Sequence, residues 1–557
     1  MAAFPPSTRT SSCIIGQLCA GLELRVRKEV VVVVGLYFLG LLGWNLRNFL
    51  KNRAGTEAEE VAYVGHRNFG TGALVATLVA VYASNYTLLA AAESGFKYGL
   101  SGPIWYALGV ALPILFFVWP VNLISRMRAS LPRGVTLVEY YGARYDERTR
   151  LAALVTVLLA SIIGVVSVVV AIGIVLDSLL NIGTTPSILL GGGVLILYTA
   201  LGGYEGTARA HVYQLMIAGL AVAVSLALAA KDVNLSNFVN HLGIGQRNVL
   251  AWGPVHMLDF FLTLAALAIA NPILWQRMFS ARDDRSAARA MCAFPALWIP
   301  FAIGSGIMGM IAFHLMPAIA PEQAATRLVV HLFPTWAAVL FLLGGLALVF
   351  STGDAAINNI ASIVQFDVID RYLGRRFTGR RAVYLSFGVQ VALGLVGIIG
   401  ALGVKSILHL LVVNSAVNIA LLAPLVLGLI WRRAHAGAAF WSIAVGLAVG
   451  AGLMIAGWGP VADLVALVVS VALMIGLSVW LPSRVESAIG AERPVKRAAK
   501  GLAFAIAIYT TLFALASAFG NVKLELSGYT LYPLMLYAFG GCLVLALVLP
   551  FTAWRQG

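Results

Sequence analysis

Charged residues are scarce in this chain, and their scarcity sets its class. Only 11% of the 557 residues are Asp, Glu, Lys or Arg, whereas 60% are hydrophobic and the mean hydropathy is +0.91. A soluble protein of this size could not bury so much apolar surface. Apolar runs of about 20 residues, the length that a helix needs to cross a bilayer, recur along the sequence. We therefore predict an all-α polytopic membrane protein.

Patterns typical of several other classes are absent. The apolar runs lack the period-two alternation of an outer-membrane barrel, which disfavours strands. The sequence has no Gly-Lys-Ser/Thr phosphate loop, so we do not expect an ATP-driven pump. Its four cysteines show no metal-ligand spacing. No nucleophile–base pair stands out in the apolar runs, and we predict that the protein is not an enzyme.

Hydropathy divides the chain into fifteen predicted membrane spans. A leading span lies near 30–46. It is followed by spans near 71–91, 102–124, 151–178, 186–202, 211–230, 255–275, 293–316, 336–364, 382–402, 407–431, 438–457, 460–481, 501–519 and 530–552.

The loops between these spans alternate in basic charge. Arginine is abundant in loops such as 125–150 and 370–381, but basic residues are sparse around Lys97 and Lys405. Because basic loops stay on the cytoplasmic side, fifteen spans place the N-terminus outside and the C-terminus in the cytoplasm of a multi-pass cell (inner) membrane protein. The net charge of +15 thus follows membrane topology. We expect a lipid bilayer around the protein and no binding of nucleic acid.

The stretch "FSTGDAAINNIASIV" places polar side chains inside a predicted span. On a helix, four of them fall on one face within about 80°: Ser351, Asp354, Asn358 and Ser362. Such a face must meet protein or water, because each unsatisfied polar group in lipid costs several kcal/mol. Two interpretations stay open. The face can join helices by hydrogen bonds, or oxygens such as those of Ser351 and Thr352 can coordinate a small hard cation such as sodium.

Two other spans contain interruptions at corresponding places. The first core span is broken by the polar segment "YASNYT", and the sixth contains Asn271-Pro272, where proline removes a backbone donor and disfavours helix at Asn271. Five spans follow from each interruption, which indicates a 5+5 inverted-repeat secondary transporter with one leading and four trailing helices. The predicted parts are a leading segment 1–54, repeats 55–235 and 236–434, and a trailing part 435–557.

Three segments of the chain resemble segments of a known family. They are "YTALGGYEGTARAHVYQ" (198–214), "FSTGDAAINNIASIVQFDVIDRY" (350–372) and "GVTLVEYYGARYDERTR" (134–150). The chain resembles the sodium/solute symporter family, with its leucine-transporter-like inverted repeat, over residues 55–480. A fourth segment, "FKYGLSGPIWYALG" (96–109), is similar to the branch that contains urea and polyamine symporters.

The resemblance implies a sodium site between the first and eighth core spans. Side-chain oxygens would come from Ser351 and Thr352, and backbone carbonyls from Ala80, Ala83 and Leu348. It also implies a central solute pocket between the broken spans and the second and tenth core spans. The pocket residues carried over by position are Asn85, Tyr86, Thr87, Trp105, Asn271, Trp275, Asn414, Ser415 and Asn418.

One departure from the family leaves the coupling ion open. The family commonly has Thr-Asp at the start of the fifth span, whereas this chain has Ala210-His211. An acid, Asp354, stands instead beside the predicted sodium ligands. Sodium coupling can persist with the acid moved, or His211 and Asp354 can form a proton path. A third alternative is a purely structural ion pair between Asp354 and an arginine such as Arg209.

The leading hypothesis is a symporter that draws in a small polar solute, urea-, amide- or sugar-like, with sodium by alternating access. Proton-coupled symport is the first alternative. A membrane sensor built on the symporter fold is the second, since such a sensor would bind the same solute. We expect no obligatory protein partner.

Overall fold

Helices account for all regular secondary structure in the part of the chain that the structure describes, apart from an isolated bridge between Phe69 and Ala281. The computed structural model describes residues 28–52, 64, 66–118, 122–132, 134–232, 243–372, 374, 377, 380–404 and 406–481. Within these ranges every extended apolar run is helical. The prediction of an all-α chain is therefore confirmed there.

The helices follow one another with short connections. They are α1 (Lys28–Asn52), α2 (Thr71–Tyr82), a π-helical turn (Tyr86–Ala90), α3 (Ala91–Tyr98), α4 (Ser101–Val118), α5 (Leu123–Ser130), α6 (Leu137–Arg144), α7 (Glu147–Leu180), α8 (Thr184–Asp232), α9 (Ile244–Arg247), α10 (Pro254–Ile269), α11 (Pro272–Phe279), α12 (Asp284–Leu315), a 3₁₀ turn (Pro321–Gln323), α13 (Ala324–Leu332), α14 (Thr335–Ile363), a π-helical end (Val364–Asp370), α15 (Arg380–Ala401), α16 (Ile407–Ile430), α17 (Ala436–Ile455) and α18 (Gly459–Trp480).

The membrane spans agree with the prediction from hydropathy. Twelve spans among the described residues are long and apolar enough to cross a bilayer, and the bent pair α2–α3 makes a thirteenth. Two of the twelve lie in α8, which is kinked at Gly203 where φ is 59°. All thirteen coincide with predicted spans. The predicted spans 501–519 and 530–552 lie outside the described residues, and the four-part division of the chain stays a prediction.

Both predicted interruptions are breaks in the helical backbone. The first core span bends by 53° between Tyr82 and Tyr86. In the sixth, α10 ends at Ile269 and α11 begins at Pro272. Asn271 between them is extended (φ −73°, ψ 115°), and its side chain accepts a hydrogen bond from the backbone N–H of Ile273 at 2.9 Å. The break thus leaves polar backbone and side-chain groups inside the bundle.

The helices around these breaks pack closely because of small residues. α3 crosses α12 where Gly95 faces Gly306 and where Gly309 faces Ala92. A Cβ atom on Gly309 would lie 1.8 Å from the carbonyl oxygen of Ala92, so only glycine permits this approach. On the other side of the bundle, α14 packs along α7 and α8. The trailing helices α17 and α18 pack on α16.

Candidate functional site

The predicted cation ligands lie where α14 meets the broken first span. The Ser351 hydroxyl donates to the carbonyl oxygens of Ala80 at 2.8 Å and Leu348 at 2.7 Å. The Thr352 hydroxyl donates to those of Val81 at 2.8 Å and Leu348 at 3.2 Å. Two hydroxyl and three carbonyl oxygens therefore converge from two helices, and we call these five oxygens the cation cluster. Hard oxygen donors of this kind suit a small cation.

This cluster differs from the predicted ligand set at one position. Sequence reasoning named Ala83, whose backbone N–H bonds Val79 and which lines a separate small cavity together with Leu348. The carbonyl that Thr352 meets belongs instead to Val81, which was not predicted. The carbonyls of Ala80 and Val81 both belong to the last turn of α2, before the break that follows Tyr82, and a role for Ala83 in binding an ion stays a prediction.

A cavity of about 100 Å³ lies beside the cation cluster, and its largely apolar wall carries a set of amide and hydroxyl groups. Thr352 belongs to both, because its side chain also lines the cavity. Of the predicted solute-binding residues, six line it: Asn85, Tyr86, Thr87, Asn271, Asn414 and Asn418. No Asp, Glu, Lys, Arg or His side chain is among its lining residues within the described ranges.

The amides of the cavity are held in a hydrogen-bond network. Asn85 donates to the Ser167 hydroxyl at 2.9 Å, and Asn414 donates to the Tyr86 hydroxyl at 3.3 Å. The Asn418 amide group donates to the side-chain oxygen of Asn414 at 2.9 Å, while its own carbonyl oxygen is buried and without a hydrogen-bond partner among the described residues. A buried acceptor without a donor is costly. Asn418 can therefore accept a hydrogen bond from a solute.

Three predicted solute-binding residues do not line the cavity. The Trp105 indole donates to the backbone oxygen of Val249 at 3.0 Å. Trp275 is fully buried and donates to the backbone oxygen of Ile269 at 2.8 Å. Ser415 points away from the cavity, toward α18, where it hydrogen-bonds Asp463. Each side chain is satisfied by protein groups, so we leave all three out of the solute site.

The cavity also has lining residues that sequence reasoning missed. Most of these residues are aliphatic or small, and the others include aromatic rings and hydroxyls of α7: Tyr82, Tyr106, Trp298, Ser161 and Ser167. The α7 span is apolar on all sides and carries few polar residues. Ser161 and Ser167 were the available signal, but nothing in the sequence distinguishes a cavity serine from one that bonds only its own helix, as Ser178 does.

The two predicted ion-path residues, His211 and Asp354, are in direct contact. His211 Nε2 and Asp354 Oδ1 are 2.8 Å apart, and both side chains are fully buried. His211 Nδ1 lies 2.8 Å from the Thr77 hydroxyl, which also accepts from Arg277 at 3.2 Å. Asp354 is thus joined to His211, whereas Arg209 is exposed. The second oxygen of Asp354 is buried and lacks a hydrogen-bond partner within the described residues.

Two of the segments that carry the family resemblance meet at the end of α14. Asp367 accepts hydrogen bonds from Thr136 at 2.6 Å and from Arg150. Nearby, Arg371 donates to Glu147 at 2.8 Å, which raises the pKa of the Arg371 guanidinium. These contacts tie the loop before α7 to the eighth core span. They fix the position of the helix that carries the cation cluster.

Glu139 lies in α6, within the same segment before α7. Its side chain accepts from the backbone N–H of Val135 at 3.0 Å. Burial, the largest cause, raises the pKa of Glu139 to about 7, and the charge of Asp367 adds to the effect. This carboxyl therefore changes charge near neutral pH.

Known proteins place the chain in a family. The model of the "Sodium:solute symporter family" matches residues 62–446. The sodium/pantothenate symporter of Escherichia coli (strain K12) is 26% identical over 444 residues, which are 75% of this chain and 89% of that protein. A urea-proton symporter of Oryza sativa subsp. japonica is 25% identical over 444 residues, which cover 69% of this chain but 59% of the rice protein.

A solved structure has the same fold. A Na⁺-coupled sialic acid symporter superposes with a TM-score of 0.63 and 18% identity, over 80% of this chain and 97% of the other. The leucine-transporter-like 5+5 fold expected from the two interruptions is confirmed. The relatives found by sequence are transporters, which agrees with the prediction that the chain is not an enzyme. The chain belongs to the sodium:solute symporter family, as a multi-pass membrane protein.

Proposed function

We propose that the protein is a cation-coupled symporter that imports a small, neutral, polar solute of the urea and amide class by alternating access. The observation that carries the proposal is the uncharged cavity whose polar groups are amides and hydroxyls and which shares Thr352 with the cation cluster. A shared residue gives one ligand direct influence on the binding of the other. That influence is what symport requires.

The composition of the cavity defines the solute by its chemistry. Amide and hydroxyl groups exchange neutral hydrogen bonds, and a net charge on the solute would find no opposite charge among the lining residues of the described chain. The unpartnered oxygen of Asn418 favours a solute with N–H donors. Urea and primary amides have such donors and also a carbonyl acceptor for the hydroxyls of the cavity.

The volume of the cavity is compatible with a solute of this class. One water molecule needs about 10–15 Å³ of cavity volume, so the 100 Å³ cavity holds roughly seven to ten water molecules. Urea and small amides fit in that space. We place sugars behind amides as candidate solutes because the unpartnered Asn418 oxygen favours N–H donors.

Sodium is the leading candidate for the coupling ion, as a co-transported substrate. The converging oxygens of Ser351, Thr352 and their carbonyl partners fit a small hard cation. They join α14 to the broken first span, so an ion bound there would hold these two elements together. Solute and ion would then stabilise the same closed arrangement of the alternating-access cycle.

A proton is the second candidate for the coupling ion. The observation in its favour is the buried His211–Asp354 contact of 2.8 Å, since histidine titrates near neutral pH and an intramembrane acid marks a proton path in many transporters. The rice relative, whose name describes a urea-proton symporter, is consistent with this candidate. Membrane sensing remains the alternative to transport.

Counterflow of labelled urea in proteoliposomes tests the proposal. Vesicles loaded with unlabelled urea should accumulate labelled urea transiently, and should do so faster with sodium than with potassium. Asn418→Ala should lower the affinity for urea at least tenfold, or about 1.4 kcal/mol, because it removes the free acceptor. Asn248→Ala, at an exposed loop position, is the matched control and should behave as the unchanged protein.

Each outcome separates the alternatives. Urea binding without counterflow would identify a sensor and overturn transport. Counterflow that depends on a pH gradient but not on sodium would replace sodium by a proton. Absence of both binding and flux would overturn the assignment of the solute class.

A further inference from the structure

Two buried carboxylates lie outside the cation cluster and the solute cavity. Asp259 on α10 is 5% exposed and Asp463 on α18 is fully buried. Both stand in the first two turns of their helices, which begin at Pro254 and Gly459. The backbone N–H of Leu464 donates to Asp259 at 2.9 Å, so Asp259 lies against the residue that follows Asp463, where α10 packs against α18.

The neighbours of the pair are hydroxyls. One oxygen of Asp463 accepts from Thr263 at 2.5 Å and from Ser415. The other oxygen of Asp463 is buried and has no hydrogen-bond partner within the described residues. No Lys, Arg or His side chain of the described chain forms an ion pair with either acid.

Few other titratable groups lie on the elements packed around the pair. On α10 itself, half-buried His256 lies one turn before Asp259. α4 contributes buried Tyr106, and α16 contributes exposed His409 near its start. α17 has no titratable residue, and α18 has none besides Asp463. The two carboxylates are therefore the dominant titratable groups of this region.

These observations favour a bound proton. Two neighbouring carboxylates in a medium of low dielectric cannot both be ionised, because burial and their mutual repulsion disfavour the second charge. The backbone N–H of Leu464 stabilises charge on Asp259, whereas the free oxygen of Asp463 has no donor. A proton there makes a neutral hydroxyl, which is less costly to bury than a charged oxygen.

We propose that Asp259 and Asp463 together form a proton-binding site between the core helix α10 and the trailing helix α18. The site would hold one exchangeable proton and lose it when the pair becomes fully ionised. It differs in position from the His211–Asp354 contact and shares no residue with it. In this assignment α18 is more than a structural addition to the repeat, since it supplies one of the two acids.

The position of the pair connects it to the solute cavity. Ser415 follows Asn414 on α16, and Asn414 lines the cavity. α10 likewise lines the cavity through Leu264, Leu267 and Ala268. Protonation of the pair changes the charge at the contact between α10, α16 and α18, and so influences two walls of the cavity. This consequence depends on the proposed function, whereas the proton site itself does not.

Infrared difference spectroscopy of the purified full chain, without urea and across a range of pH, tests the proton site directly. We expect the band of a protonated carboxyl group to appear as the pH falls. Because Glu139 also takes up a proton near neutral pH, all spectra are recorded in a Glu139→Gln background, where the double variant Asp259→Asn with Asp463→Asn should lose the part of the band that the pair contributes. Each single variant should keep a band whose midpoint lies lower by about one pH unit or more, because the remaining acid has lost its negative neighbour.

Asp284→Asn, at an exposed aspartate, is the control and should leave the band unchanged. A double variant with the spectrum of the unchanged protein would overturn the proposal. Single variants with an unchanged midpoint would also overturn it, since the acids would then not share a proton. If the double variant fails to fold, the two single variants still decide the question. Because no solute is present, failure of the urea assignment cannot produce either result.

Discussion

The Ser351 hydroxyl donates to the carbonyl oxygen of Ala80 at 2.8 Å, across 271 positions of sequence. This bond joins α14 to the broken first span, at the level where that span loses its regular backbone. The adjacent Thr352 hydroxyl makes the parallel contact with Val81. A cation bound between these two elements would be coordinated by the same hydroxyl and carbonyl oxygens.

Loss of these hydroxyls should weaken the response to sodium. For Ser351→Ala and Thr352→Val we expect the sodium concentration that gives half-maximal urea uptake to rise at least tenfold, equivalent to about 1.4 kcal/mol. Protein abundance in the membrane should change much less. Ser178→Ala and Thr199→Val are matched controls, because their hydroxyls bond only carbonyls of their own helices in the described structure. Unchanged sodium dependence in both test variants would reject the cation site.

Changes at His211 and Asp354 should distinguish the two coupling ions. With sodium as the coupling ion, His211→Gln and Asp354→Asn should retain sodium-dependent urea uptake at a reduced rate. The reduction is expected because each change disturbs a buried hydrogen bond, at about 1–3 kcal/mol. Uptake driven by sodium and by a pH gradient should be measured separately in proteoliposomes. Selective loss of pH-driven uptake in both variants would favour the proton instead.

The raised pKa of Glu139 makes a prediction about stability. Burial raises this pKa from 4.5 to about 7, so the folded protein binds the proton more tightly than the unfolded chain. Stability contributed by this group is full below about pH 4.5 and is lost as the pH rises through about 7, a difference of at most about 3 kcal/mol. Glu139→Gln should therefore raise the unfolding temperature at alkaline pH and have little effect at acid pH.

Thermal unfolding of the two proteins at both pH values checks this expectation. Glu322→Gln, at a half-buried glutamate of the 3₁₀ turn, serves as the control. A gain in stability of the same size at both pH values would show that charge on Glu139 is not the cause.

Glycine substitutions in α12 should have opposite effects one turn apart. Gly309→Ala introduces a Cβ atom 1.8 Å from the Ala92 carbonyl oxygen, and we expect overpacking to destabilise the fold by about 1–3 kcal/mol or more. Gly304→Ala lies on the same helix, with nothing within 4 Å of the added atom. It should be neutral or stabilise by about 0.5–1 kcal/mol. Unfolding temperatures measured in one detergent compare the two, and equal values would contradict the close crossing.

The sequence predicted the architecture well because membrane insertion imposes strong local rules. The length of the apolar runs predicted the thirteen described spans. Asn271-Pro272 predicted a helix break because proline lacks a backbone N–H donor. Ser351 and Thr352 were predicted as cation ligands because polar residues are conspicuous in an apolar span, and their hydroxyls do meet carbonyls of the broken first span. Such signals are local and need no knowledge of which helices touch.

Contacts between helices were harder to predict. Trp105, Trp275 and Ser415 carry the right chemistry for a solute site, but tertiary packing turns each toward another partner. The contact between Thr352 and the Val81 carbonyl was not predicted, because no sequence pattern shows which carbonyls of the broken span face α14. The hydrogen bond from the Leu464 backbone to Asp259, which brings Asp259 next to Asp463, depends on how a trailing helix docks on the core, and this docking is set by shape across the whole bundle.

Thr352 lines the solute cavity and also belongs to the cation cluster, which has a consequence for redesign. A side chain that belongs to the wall of the solute cavity and also to the oxygen cluster cannot be altered for one purpose alone. Efforts to broaden the range of accepted solutes should begin with the α16 amides Asn414 and Asn418, which do not belong to the cation cluster. Substitutions at Thr352 should change both the coupling of solute uptake to the ion gradient and the selectivity for solutes.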